Sequence, residues 1–279
     1  MRSLFAVALV LPLASYTRAG PDTRDVEVVA LDYAFQLPAQ LPAGRTTFHF
    51  VNKGKQRHEL NIVLLKRGAT LQQYIAAANA EQPVGPMTEA TVGVLFAGPD
   101  SSSPSQLLTD LLPDRDYAVR CILRDTVTAP RHQALGMFSS IHVNAVPAHA
   151  MTRMHGDTIV GMDYAFRAPA TLRPGRHYLA FVNEGKQRHE VYMAALKPGV
   201  TVRQVVEAEQ AGANARALIE SPLGVLHSPA GTSPIAMLEV DLLPGREYLI
   251  RCNFMDDPKA PRHIMLGMFG SIKISGQAQ

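Results

Sequence analysis

FVNKGKQRHELNIVLL (Phe50–Leu65) and FVNEGKQRHEVYMAAL (Phe181–Leu196) are one stretch written twice, 131 positions apart. Working outward, the same step carries DYAF from Asp32 to Asp163, GVL from Gly93 to Gly224 and DLLP from Asp110 to Asp241. It also carries RC from Arg120 to Arg251, APRH from Ala129 to Ala260 and LGMF from Leu135 to Leu266. A constant offset leaves no room for insertions between these blocks, so the chain contains one fold used twice. A period above 100 residues with only two copies means tandem domains and not a solenoid. AVPAHAMTR (Ala145–Arg153), with a Pro among small and polar residues, reads as the joint. The expected parts are a leader at 1–19, a first domain at 20–147 and a second at 148–279.

Within each copy the hydrophobic period is two. RTTFHFVN (Arg45–Asn52) and RHYLAFVN (Arg176–Asn183) alternate after Gly44 and Gly175 and read as strands entered from turns. ELNIVLL (Glu59–Leu65) and EVYMAAL (Glu190–Leu196) follow as second strands. LPDRDYAVRC (Leu112–Cys121) and LPGREYLIRC (Leu243–Cys252) are turns feeding third strands, and SIHV (Ser140–Val143) and SIKI (Ser271–Ile274) close each copy. Between the second and third strands, Leu71, Tyr74, Ile75 and Ala78 fall at helical spacing behind Thr70, a good cap. The pattern predicts an all-β chain of two tandem β-sandwiches, each with a short helical insertion.

Composition narrows the function. The 279 residues give roughly two domains at 100 to 200 residues each. A formal charge of +3 is too small for a nucleic-acid footprint, and 47% hydrophobic content with no Trp describes an ordinary globular chain. Arg2, the apolar run Leu4–Ala14 and the small residues Thr17 and Ala19 have the form of a secretory signal. The run is shorter than the roughly 20 residues of a spanning helix, so no stable membrane insertion is expected once the leader is removed. The implied location is periplasmic or extracellular.

Each copy carries a His after the FVN strand, a Cys ending the third strand, a His eleven positions on and a Met five beyond. The sets are His58, Cys121, His132 and Met137, and His189, Cys252, His263 and Met268. Two imidazoles, a thiolate and a weak axial thioether suit a copper ion that changes oxidation state, because sulfur stabilises Cu(I) while nitrogen tolerates Cu(II). Taken singly, a His on a strand or a Met near a closing strand is ordinarily structural; the ordered foursome, present twice, favours ligation. An exported chain with two cysteines also allows a Cys121–Cys252 disulfide, which needs Cα atoms within about 7 Å. Equivalent positions of two copies meet that closely only beside a local two-fold axis.

These residues resemble the cupredoxins, or blue copper proteins: Phe50, Val51 and Asn52 leading to His58, Tyr117 four residues before Cys121, and His132 with Gly136-Met137 before the last strand. The second copy repeats this in Phe181, Val182, Asn183, His189, Tyr248, Cys252, His263, Gly267 and Met268. The resemblance implies Greek-key sandwiches with a mononuclear type 1 copper at one end of each, and an electron carrier rather than an enzyme. The Cys-to-His stretch is closer in length to that of copper nitrite reductases than to that of plastocyanin-like members. Glu59 and Glu190 stand where many members have an Asn that ties the ligand segments together.

Two other functions compete. One is a copper-free binding or assembly scaffold on the same fold. The other is a nitrite-reductase-like enzyme, against which stands the absence of any HxH or HCH pattern; Arg120 and Arg251 precede the cysteines. The remaining histidines, among them His49, His142, His177 and His227, read as surface or packing residues. Lys55, Arg57, Arg131, Lys186, Arg188, Lys259 and Arg262 cluster near the ligands, as a solvated rim or as a dock for an acidic redox protein. They could also help hold the cysteines as thiolates. The sequence does not specify an oligomeric state.

Overall fold

The computed structural model describes residues 23–145, 155–232 and 234–276. The expected leader and nearly all of the expected joint at Ala145–Arg153 lie outside these residues. The first copy consists of β1 (Arg24–Leu31), β2 (Ala34–Gln36), β3 (Gln40–Pro42), β4 (Gly44–Asn52), β5 (His58–Leu65), α1 (Leu71–Asn79), β6 (Thr88–Ala97), β7 (Ser101–Ser102), β8 (Ser105–Leu111), β9 (Arg115–Arg120) and β10 (Phe138–Asn144). The second consists of β11 (Asp157–Met162), β12 (Ala165–Arg167), β13 (Thr171–Leu172), β14 (Gly175–Asn183), β15 (His189–Leu196), α2 (Val202–Gln210), β16 (Ile219–Ser228), β17 (Ala236–Leu242), β18 (Glu247–Arg251) and β19 (Phe269–Ile274). The predicted strands and the helix at Thr70 are all present. Thr70 and Thr201 close capping boxes with Gln73 and Gln204.

Among the described residues the strands form two sheets, packed as a sandwich, and both run through the two copies. One has the order β12-β11-β14-β17-β8-β4-β1-β2, with β7 beside β4; the other runs β13-β19-β18-β15-β16-β6-β5-β9-β10-β3. The copies meet at β8 with β17 and at β6 with β16. In these seams Leu107 pairs with Leu238 and Val94 with Val225, each residue opposite its own counterpart. A local two-fold axis therefore passes through both pairs. The repeated glycine of the GVL motif serves this seam: a Cβ on Gly224 would lie 2.8 Å from the Val94 carbonyl, and one on Gly93 would lie 2.5 Å from Leu107 Cδ1.

One apolar core fills the space between the sheets and includes Phe48, Phe50, Leu107 and Ile141 of the first copy with Phe181, Leu238, Ile250 and Ile272 of the second. Each such side chain removed from water contributes about 1.5–3 kcal/mol. β5 and β15 are buried along their whole length, with the sandwich core on one side and the α1 or α2 cluster on the other. A strand covered on both faces is a rigid mount, and the first candidate ligand of each set, His58 or His189, sits at its start.

Candidate metal centre

The FVN asparagine builds the loop that delivers the first histidine. Asn52 Nδ2 donates to the carbonyls of Gln56 (2.7 Å) and Gly98 (2.8 Å), while its Oδ1 accepts the Gly54 N–H (2.8 Å). Asn183 does the same with Gln187, Ser228 and Gly185. Gly54 and Gly185 have no room for a Cβ, because it would run into the carboxylate of Asp32 or Asp163. The repeated GKQRHE block is thus a tight loop closed on an aspartate from the end of β1 or β11.

The other candidate ligands come from the stretch after β9 or β18. The Cys121 N–H donates to the Met137 carbonyl (3.3 Å), the Gln133 N–H to Cys121 (2.8 Å) and the Met137 N–H to His132 (3.0 Å). A short 3-10 turn over His132–Leu135 ends at Gly136, whose φ of 107° is open to glycine and strained for other residues. His263–Leu266 and Gly267 (φ 104°) repeat the turn. Met137 and Met268 are buried, as are His58, Cys121 and His132 and their counterparts His189, Cys252 and His263.

These elements bring His58, Cys121 and His132 together, and likewise His189, Cys252 and His263, with the ligand atoms of each group within 4.8 Å of one another. The two Nδ1 atoms are 3.1 Å apart in each half. Cys121 Sγ lies 3.9 Å from His58 Nδ1 and 3.4 Å from His132 Nδ1; the corresponding distances from Cys252 are 3.9 and 3.5 Å. Both cysteines are free thiols, so the disulfide alternative is not adopted.

The far side of each imidazole faces a carboxylate. His58 Nε2 lies 2.9 Å from Asp32 Oδ1, and His132 Nε2 lies 2.9 Å from Asp125 Oδ1. Asp32 also accepts the Lys55 and Gln56 N–H groups, and Asp125 accepts the Tyr33 hydroxyl at 2.6 Å. Burial works to raise the Asp32 carboxyl, but the Lys55, His58 and Gln56 hydrogen bonds outweigh it and hold the group below its ordinary range. The Tyr33 hydroxyl, with His132, holds Asp125 low in the same way. Burial pushes the His58 and His189 rings down, toward the neutral form.

An ionised aspartate can only accept, so each Nε2 must donate. In a neutral imidazole the Nδ1 is then a bare lone pair. With both rings neutral, each half would point two lone pairs at each other across 3.1 Å, beside a thiol that has a single proton to give. A cation resolves this arrangement. The 3.1–3.9 Å separations suit N and S ligands around one first-row ion, whose bonds run about 2.0–2.3 Å.

Burial pushes the Cys121 thiol up to about 12, and the nearby Glu59 adds to the effect. Cys252 is pushed up to about 11, again chiefly by burial. The expectation that neighbouring Lys and Arg side chains hold these sulfurs as thiolates is therefore not met; a metal binding there would have to displace the proton. Glu59 Oε1 accepts the Ile122 N–H at 3.2 Å, and Glu190 Oε1 accepts both the backbone and side-chain N–H of Asn253 (3.2 and 3.0 Å). A carboxylate acceptor thus makes the tie between ligand segments.

The basic rim is mixed. Lys55, Arg57, Lys186 and Lys259 are exposed, Arg262 pairs with Glu209, and Arg188 lies over the Phe254 ring. His49, His142 and His177 pair with nearby aspartates outside the site. The sequence reading missed Asp32, Tyr33 and Asp125 with Asp163, Tyr164 and Asp256. All three pairs recur at the 131-residue step, a signal that was available.

No family model and no curated protein matches the chain. Among solved structures, dithionite-reduced auracyanin from Roseiflexus castenholzii is similar at 20% identity over 44% of this chain and 97% of its own (TM-score 0.30). Auracyanin A from Chloroflexus aurantiacus, described as a "blue" copper protein, is similar at 20% identity over 44% of this chain and 99% of its own (TM-score 0.30). A copper nitrite reductase from Nitrosomonas europaea is similar at 14% identity over 92% of this chain and 95% of its own (TM-score 0.24).

Proposed function

We propose that this chain, cupredoxin-like in fold and in its His-Cys-His groups, is an exported carrier of single electrons with one mononuclear type 1 copper in each half. Nδ1 of His58 and His132 and the Cys121 thiolate would hold one ion, with the Met137 thioether as a weaker fourth donor. His189, His263, Cys252 and Met268 would hold the other. The single observation that carries this reading is the pair of facing Nδ1 atoms, 3.1 Å apart, beside a buried thiol in both halves.

Bound copper would supply the one-electron couple. The chain's own contribution is to keep the donors still: β5 and β15 are buried on both faces, the ligand loops are closed by backbone hydrogen bonds, and water is excluded from the sulfurs. No helix among the described residues is long and apolar enough to cross a membrane. The exposed Lys55, Arg57, Lys186 and Lys259 suit encounter with an acidic redox protein, where complementary charge raises the rate of association more than its strength.

Adding Cu(II) to purified apoprotein should bind two equivalents and produce intense visible absorption from thiolate-to-copper charge transfer. Cys121→Ser with Cys252→Ser should abolish that absorption. A colourless protein that takes up no copper would instead favour the scaffold reading, and bound copper lacking the thiolate band would favour the enzyme reading.

A further inference from the structure

The geometry points to Asp32, Tyr33 and Asp125, with Asp163, Tyr164 and Asp256, as an outer clamp of positioning residues that fixes both imidazoles of each half as Nε2–H tautomers and tunes what their Nδ1 atoms can hold. The DYAF motif supplies two members of each clamp from the end of the first strand, and the ligand loop supplies the third. Asp32 does two jobs: it accepts from His58 Nε2 at 2.9 Å and pins the loop before His58 through the Lys55 and Gln56 N–H groups. Tyr33 joins the two sides. Its hydroxyl donates to Asp125 at 2.6 Å, and its ring stands edge-on to His132 (5.0 Å between centroids) and to His58 (6.2 Å).

The second half repeats the arrangement. Tyr164 donates to Asp256 at 2.6 Å, His263 Nε2 lies 3.0 Å from Asp256, and the Tyr164 ring is 5.1 Å from His263. The repetition matters because nearby positions have diverged: Asn61 and Phe96 correspond to Tyr192 and His227. The clamp is among the features that both copies keep.

Two consequences follow from elementary chemistry. Donation from Nε2 to a carboxylate leaves Nδ1 unprotonated and makes it a stronger electron donor. Two carboxylates behind two imidazoles also place negative charge close to the donor group, which favours the more highly charged state of a bound metal. The second consequence rests on the copper reading above; the first does not.

The test separates them. In 15N-histidine-labelled apoprotein, NMR should show His58 and His132 as Nε2–H tautomers. Asp125→Ala should release His132 into a mixture, whereas Asp125→Asn, whose amide oxygen can still accept, should retain the tautomer. In the copper-loaded protein Asp125→Asn should weaken Cu(II) binding about 10- to 100-fold and raise the potential of the first half. Each tenfold change in the Cu(II) to Cu(I) affinity ratio corresponds to about 59 mV. Tyr33→Phe should move the potential the same way by less.

A residue that only braced the fold would lower the melting temperature of Asp125→Ala and leave the potential of Asp125→Asn unchanged, and that result would overturn the tuning role. Nδ1–H tautomers in the unmodified apoprotein would overturn the clamp outright. Failure to bind copper with the tautomers as expected would remove the carrier reading and leave the clamp standing.

Discussion

His58 Nε2 and Asp32 are 2.9 Å apart in the first half, while His189 Nε2 and Asp163 are 3.5 Å apart in the second, at the outer limit of a hydrogen bond. Close to the sulfur the halves differ again, since Glu59 takes one N–H from the Cys loop and Glu190 takes two. The distances among Nδ1 and Sγ atoms nevertheless agree within 0.1 Å between the halves. Backbone ties that recur in both copies set the donor positions, and the surroundings are free to vary. Two centres built on one plan can therefore behave unequally.

The largest expected effect isolates each half. Cys121→Ser should remove one of two thiolate-to-copper bands and Cys252→Ser the other, and the two residual spectra should sum to that of the unmodified protein. If either single substitution removes all colour, the halves are not independent centres and the comparison between them breaks.

The seam offers the next test. Adding a methyl at Gly224 drives it against a backbone carbonyl, whereas at Gly93 the nearest atom belongs to the Leu107 side chain, which can rotate. Both Gly→Ala changes should destabilise by about 1–3 kcal/mol, as overpacking does, with Gly224→Ala the worse. Urea unfolding should show one transition in each case, because the core is continuous. Two separate transitions would mean that the copies fold apart.

Alkaline pH tests a property that the halves share. The unfolded thiols titrate near 8.5, while the folded ones are pushed up to about 12 and about 11. The unfolded chain thus releases protons that the folded apoprotein keeps, so this contribution to stability is full below about pH 8.5. It falls as pH rises through the two folded values. Melting temperatures of the apoprotein across pH 8 to 11 should decline, and Cys121→Ser and Cys252→Ser should each flatten the decline. No flattening by either substitution would mean that the buried thiols do not carry the loss.

The smallest effect concerns potential. With its shorter Asp32–His58 bond, the first half should favour Cu(II) more, by less than tenfold and hence by under about 59 mV. Voltammetry of the two single-Cys variants would read the order, and a lower potential in the second half would count against the Asp–His distance as its cause.

The strands, the cap at Thr70 and the two His-Cys-His groups were legible because each rests on a local pattern or on the 131-residue step. His58, Cys121 and His132 declare themselves as residue types whose convergence the β topology makes possible. Asp32 declares nothing. It is an ordinary acid at the end of a strand, and its place behind His58 depends on β1 running parallel to β4 in register, with Ala30 opposite Asn52. Asp125 sits in a loop without period, so only its counterpart Asp256 marked it. The seam was hidden for a different reason: Leu107 and Val94 alternate like any core strand, and nothing local says that each will face its own counterpart.

That self-pairing changes how the joint between the copies should be viewed. Contacts in which a residue meets its own equivalent are the mark of an isologous dimer, here drawn along one polypeptide. Either copy expressed alone would leave the margins of β6 and β8, or of β16 and β17, bare, and a second molecule of the same copy has the matching margins to cover them. The covalent link then acts mainly as a tether that raises local concentration, and a molecule nicked between 145 and 155 should stay whole.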